Sequence, residues 1–338
     1  MKTTLLRLVA TQTAILLFFF SGASVDAQTN TVRLSYSAPV GLSTPAWMAK
    51  ELRLFEKYGL DATIIYIGGG TLPMSVMLAG ETEFTMVVGP PAVLARLNGA
   101  DSTILATFVN RLSMSFVSLP SIRQPAELRQ KRIGITRFGA ATDYAAKLAL
   151  KSWGMTTKDV DIIQTGGISE AFAALKAGVI QATVFSPPFS TLAIQSGMVE
   201  LLDFSNSKIQ FVNNSLVSTI KYTRQRPDVT TDVMKALIEG IWAFKADRPL
   251  GLKVLRKYTQ VKDSRVLDET YDFYSRMLLA IPRTPEAGLS NILEELATTQ
   301  PKARTARPKD FFEPKFLVEL EDSGFFKQLA SRYKSADR

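Results

Sequence analysis

A stretch of thirteen residues occurs twice in this chain. Gly68, Gly69, Ala79 and Gly80 recur as Gly166, Gly167, Ala177 and Gly178, at a constant offset of 98. The similarity runs on downstream. Residues 83–87 form an apolar stretch closing on Gly89-Pro90-Pro91, and residues 181–185 form another closing on Ser186-Pro187-Pro188. Upstream, an apolar segment at 32–36 leads to a helical pattern over 45–58, then Gly59. Its counterpart at 132–136 leads to one over 140–153, then Gly154. A further strand follows in each half, at 62–67 and 160–164. The unit therefore reads β-α-β-α-β, and it occurs twice. Strands alternating with helices imply a mostly parallel sheet with helices on its faces, and two copies imply two α/β lobes.

The helices rest on period and punctuation. Trp47, Leu52, Leu54, Phe55 and Tyr58 make an apolar stripe. Ser43 or Thr44 can cap that helix, with Pro45 at its first turn and Gly59 past its end. The partner helix is rich in alanine, the strongest helix former. A third step in the first lobe has a helix at 90–98 and a strand at 102–109, from which the chain crosses over. A strand at 211–220 returns to the first lobe. Helices are expected at 228–246, 249–258, 263–279 and 285–298, with a basic turn at 301–310 and a final helix over 314–333. The expected division is residues 1–27 as a signal peptide, 28–109 plus 212–338 as lobe one, and 110–211 as lobe two. Two crossings make a hinge, and the cleft between lobes can close on a ligand.

Composition then narrows the chemistry. The chain has no Cys and no His. Disulfides, thiolate metal sites, the serine–histidine triad and the commonest general base are excluded, and no metal or cofactor is implied. Lys2 and Arg7, an apolar run over 14–20, small residues at 21–24 and Val25-Asp26-Ala27 form a secretory signal peptide with cleavage before Gln28. The absence of Cys rules out a lipid-anchored lipoprotein, and no later stretch reaches about 18 apolar residues, so the mature chain reads as soluble in the periplasm. It carries 38 basic against 30 acidic residues, a balance of +8. That charge is dispersed and lacks interleaved aromatics, so nucleic acid is not an expected partner. Monomer is the default state.

Five junctions lie where ligands bind in open α/β sheets, beyond strand ends at helix N-termini. They are residues 37–44, with Ser43 and Thr44; 68–71, with Gly69, Gly70 and Thr71; 89–91, with Gly89 and Pro90; 137–142, with Arg137, Phe138, Gly139 and Thr142; and 186–188, with Ser186 and Pro187. Each also has a plain structural reading as a turn, a cap or a helix start. Arg137 follows an apolar strand directly. Its guanidinium could grip a carboxylate or sulfonate with two hydrogen bonds, or point away into solvent. Phe138 could stack on a flat ligand or plug the cleft floor. Trp47, Trp153 and Trp242 sit in helical stripes and read as core.

These features together resemble the periplasmic substrate-binding proteins of ABC transporters, specifically the nitrate/sulfonate/taurine and thiamine-precursor group. The resemblance is carried by residues 45–59 with Tyr58-Gly59-Leu60, by 68–80, by Ile133-Gly134-Ile135-Thr136-Arg137-Phe138-Gly139, by 166–178 and by Ser186-Pro187-Pro188. It spans about residues 31–220. It implies a two-lobe type II periplasmic-binding-protein fold with a helical C-terminal region. It also implies capture of a small solute and delivery to an ABC permease with a cytoplasmic ATPase. The family includes a eukaryotic pyrimidine-synthesising enzyme that uses histidine and iron, an activity this chain cannot share. Nitrate-binding members look His-assisted, so sulfonates or other organic anions are favoured. Aromatic acids and neutral heterocycles stay open, as does a receptor that signals to a membrane sensor. An enzyme on this fold would need a carboxylate such as Asp143 as acid or base. When the full precursor is expressed in a secreting host, mass spectrometry of the exported protein is expected to find Gln28 at its N-terminus; an intact Met1 would refute the cleavage.

Overall fold

The computed structural model describes residues 30–207 and 209–333. The signal-peptide reading lies outside the described residues. Ten strands form two sheets: β1 (Asn30–Tyr36), β2 (Leu60–Tyr66), β3 (Phe84–Val87), β4 (Thr103–Arg111), β5 (Ser115–Ser118), β6 (Arg132–Ile135), β7 (Asp161–Gln164), β8 (Ala182–Phe185), β9 (Val199–Asp203) and β10 (Gln210–Ser218). The first sheet runs β2-β1-β3-β10-β4 and the second β7-β6-β8-β5-β9. β1 pairs parallel with β2 and β3, as β6 does with β7 and β8. β10 and β5 each lie antiparallel to both neighbours. The two sheets thus share one topology, and each takes its single reversed strand directly after a crossing between them. This is a two-lobe α/β fold.

The duplication reaches individual hydrogen bonds. Arg33, in β1, donates to the Glu83 carboxylate and to the Gly80 carbonyl. Arg132, in β6, donates to the Gln181 side chain and to the Gly178 carbonyl. One arginine per lobe therefore ties β1 or β6 to the loop that follows the second helix of the repeated unit.

Several elements differ from the sequence expectation. The helical pattern at 45–58 is two helices, Thr44–Glu51 and Leu54–Lys57, because Arg53 takes a left-handed φ of 53°. The final helix is likewise split into Lys315–Asp322 and Phe325–Arg332 by Gly324, with φ 77°. The return strand ends at Ser218, and a short helix, Ile220–Gln225, follows. Strands β5 and β9 were not anticipated, since they lie outside the repeated unit.

The long helix Pro227–Ala246 packs on Thr44–Glu51. Gly240 makes this close approach possible: a Cβ there would lie 2.7 Å from the Pro45 carbonyl oxygen. Trp47, Phe55, Leu237 and Ile241 fill the seam and are fully buried. The same helix carries Glu239, a buried carboxylate. One oxygen accepts from Lys57 and Tyr58, the other from Arg332 and Tyr333. Burial pushes its pKa up, but these four donors together hold it below the ordinary carboxylate value. A depressed folded-state pKa means the stabilisation is present above the unfolded value of about 4.5 and is lost as pH falls through the folded one. Glu239→Gln is expected to destabilise the protein by about 2 kcal/mol at pH 7. Denaturant melts of both proteins should converge as the pH drops below 4; a constant difference down to pH 3 would refute the electrostatic account.

Candidate functional site

The glycine turns of the two repeats meet across the cleft. A Cβ on Gly68 would lie 3.6 Å from the Gly166 carbonyl oxygen. Tyr66 fills the space beside them: its hydroxyl would be 3.2 Å from such a Cβ and 3.3 Å from one on Gly167. Burial, the Glu170 carboxylate and Tyr36 all push the Tyr66 pKa up, so its hydroxyl is a neutral donor at pH 7.

Behind these turns lies a cavity of about 60 Å³ between the lobes. Ser37, Leu42, Gly69, Gly70 and Val88 line it from the first lobe. Thr136, Ala140, Thr142, Ile168 and Ser186 line it from the second, and Met114 lies at the crossing. Repeat-equivalent positions face one another here. Gly70 pairs with Ile168 and Val88 with Ser186 at the 98-residue offset, and Ser37 and Thr136 each follow the first strand of the repeated unit, β1 or β6. Both sets sit at strand ends and at the starts of the helices Thr71–Leu78, Gly89–Leu97, Ala141–Ser152 and Ile168–Lys176. First-turn N–H groups have no partner within their helix, and the helix dipole adds positive potential there. No lining residue is charged. The cavity therefore suits a compact solute held by hydroxyls and backbone N–H groups against an apolar wall.

Of the sequence-derived candidates, the fold brings Gly69, Gly70, Thr142 and Ser186 to this cavity. Thr142 is partly committed: its hydroxyl accepts from the Thr136 N–H at 2.9 Å and is bonded to the Thr136 hydroxyl. Ser43 and Thr44 stand next to the cavity without lining it, and neither side chain caps the helix: Ser43 donates to the Ala38 carbonyl, and the buried Thr44 hydroxyl has no hydrogen-bond partner among the described residues. Gly89 is a packing glycine, since a Cβ would meet Ile292 at 2.6 Å and Val212 at 2.8 Å. Thr71 faces Gly139 across the lobes, 3.5 Å from where its Cβ would lie. The Pro187 carbonyl accepts from Tyr274 at 3.2 Å.

Pro90, Phe138 and Gly139 line a separate outer groove of about 520 Å³, with Tyr144, Lys147 and Glu295. Phe138 is 54% exposed there. Arg137 lies in the cleft, against Gly69. Its side chain crosses the cleft, and Nε donates weakly to the Gly68 carbonyl at 3.5 Å. Asp143 accepts from the Gly139 N–H and from Lys147, both at 2.8 Å.

Sequence reasoning missed Met114, because β5 lies outside the repeat, and Ile168, which the repeat itself could have pointed out as the mate of Gly70. Among the described residues no cluster of three or more His, Cys, Asp or Glu could hold a metal ion, and no helix is long and apolar enough to cross a membrane.

Gly69 concentrates the geometric demands of the site. Its φ is 81°, and a Cβ would lie 2.9 Å from Cδ of Arg137. Gly69→Ala is expected to lower stability by about 1–2 kcal/mol. Adding Arg137→Ala should recover the steric share but not the backbone share, which a thermal-melt comparison of the three proteins reads directly; no recovery at all would mean that the Arg137 contact does not set the approach of the lobes.

Comparison with known proteins agrees with this architecture. A family model described as NMT1/THI5 like matches residues 42–249, more than half of the chain. A Brucella abortus (strain 2308) protein named as a binding protein is 23% identical over 291 residues, covering 83% of this chain and 89% of its own. The alkanesulfonate-binding protein of Xanthomonas axonopodis pv. citri, bound to MOPS, superposes with a TM-score of 0.70 at 16% identity, covering 82% of this chain and 95% of its own. The periplasmic nitrate-binding protein of Synechocystis PCC 6803 superposes with a TM-score of 0.72 at 13% identity, covering 88% and 89%. The fold is that of the periplasmic binding proteins, and the chain belongs to the NMT1/THI5-like family.

Proposed function

We propose that this protein is an extracytoplasmic solute receptor of an ABC importer. It captures a small organic solute between its lobes and presents the closed form to a membrane permease driven by a cytoplasmic ATPase. The observation that carries this is the uncharged cavity between the lobes, at the convergence of helix starts from both. A compact organic anion, with a sulfonate head favoured, suits such a site, because N–H groups and hydroxyls bind an anion without a desolvated counter-charge. The cavity volume of about 60 Å³ favours a solute of a few heavy atoms, well below the several hundred Å³ of a drug-sized site.

The absence of Arg and Lys from the lining also favours a second reading, a neutral ligand such as a small heterocycle. A catalytic reading has less support. Asp143, next to the 137–142 junction, is engaged by Lys147 and lines the outer groove rather than the cavity.

Residues 28–338 should be screened by thermal shift against methanesulfonate, taurine, acetate, nitrate, benzoate and a pyrimidine. A true ligand at 100 times its dissociation constant should stabilise the fold by about 2.7 kcal/mol. A response confined to the small anions is the expected result, with the ligand recovered unchanged after incubation. A response to the pyrimidine alone would favour the neutral reading, and turnover of any ligand would overturn the receptor assignment.

A further inference from the structure

Tyr274 lies in the helix Ser264–Met277, beyond the residues the family model matches. It is among the largest fully buried side chains of the protein, and its hydroxyl is far from solvent. The helix that carries it packs on both lobes. It touches the turn Gly41–Ser43 in the first and the helix Phe189–Gln195 in the second. The ring lies flat against Gly41, where a Cβ would be only 2.1 Å from Cδ2. The hydroxyl donates to the Pro187 carbonyl of the second lobe at 3.2 Å.

The surroundings of that hydroxyl are polar and shared between lobes. Burial pushes its pKa up, and hydrogen bonding to Ser186, Ser113 and the Leu42 backbone opposes this. Leu42 and Ser186 are themselves cavity walls, one from each lobe. Ser113 sits in the first crossing and accepts at 2.7 Å from Asn213, in the return strand β10. The side chain therefore bridges the lobes: its ring lies against Gly41 of the first, and its hydroxyl bonds the Pro187 carbonyl of the second.

We infer that Tyr274 is a positioning residue for the solute site: a clasp behind the cavity that joins the 41–42 turn to the 186–187 turn and holds the lobes in their closed relation. This rests on the receptor reading for its purpose but not for its geometry. Opening the hinge breaks the hydrogen bond from Tyr274 to the Pro187 carbonyl, so the clasp favours the closed form even before a ligand arrives. A ligand then has less closing work to do, and its apparent affinity rises in proportion to the competent fraction.

The test uses the ligand-free protein, so a failed solute screen cannot be confused with a failed clasp. The native chain has no cysteine. Two engineered ones, at the exposed positions Glu81 and Lys158 on opposite lobes, take spin labels without background. Electron–electron distance measurement on this pair reads lobe separation directly. Tyr274→Phe keeps the ring and removes only the oxygen. It is expected to move the distance distribution to longer values, with the closed-to-open ratio falling about fivefold to tenfold. Ser113→Ala should shift it in the same direction, and it carries the test if the Phe variant fails to fold by circular dichroism. A variant that lowers the melting temperature while leaving the distances unchanged would show Tyr274 to be packing only and would overturn the proposal.

Discussion

The site depends on how closely two backbones approach. Gly68 and Gly166 come together across the cleft, where a Cβ on Gly68 would lie 3.6 Å from the Gly166 carbonyl oxygen, with Tyr66 and Arg137 packed beside the turns. At Gly69 the demand is doubled, because the left-handed φ and the Arg137 side chain each exclude a Cβ. Gly69 and Gly70 of these turns form part of the cavity wall. Its polar lining follows from the same arrangement. A β-α-β-α-β unit places the starts of its helices at the carboxyl ends of its strands, and two such units set face to face point their free N–H groups into one space.

Charge is distributed accordingly. The cavity lining has none, while the ionic interactions sit elsewhere: Glu239 at the back of the first lobe, Asp143 with Lys147 in the outer groove, and Arg33 with Glu83 at the foot of the sheet. A fixed cation in so small a space would carry a desolvation cost whenever the site is empty. Backbone dipoles avoid that cost, since they are already oriented by the helices that contain them. Arg137 illustrates the division, spanning the rim of the cleft and leaving the interior to neutral groups.

The helical region after residue 249 is more than a cover for the first sheet. Its helix Ser264–Met277 lies against both lobes, and Tyr274 reaches turns that form opposite walls of the cavity. The β-α-β-α-β units supply the binding surfaces, and the appended helices supply the contact that spans them.

Much of this was legible in the sequence because it is local or repeated. The duplicated Gly-rich turns, the Pro-Pro helix starts and the apolar strand runs fixed two similar lobes and the junctions where a ligand would sit. Gly69, Gly70, Thr142 and Ser186 were identifiable from those junctions alone. The register of the repeat even contains Ile168, as the mate of Gly70. Other features depend on contacts between distant segments, which no local pattern encodes. The direction of Arg137 is set by the Gly68 carbonyl of the other lobe, 69 residues away in sequence. Gly89 looks like a ligand turn until Ile292 and Val212 are seen to fill its space. Strands β5 and β9 are short, unrepeated segments whose pairing is decided by the sheet that accepts them. Tyr274 reads as one more apolar position on an amphipathic helix; only the packing of that helix on two lobes puts its oxygen beside Pro187. Sequence periodicity decided which elements form, because local hydrophobic pattern and turn chemistry act over a few residues. The tertiary structure decided which of their side chains face the cavity, because that depends on how two rigid lobes come to rest against each other.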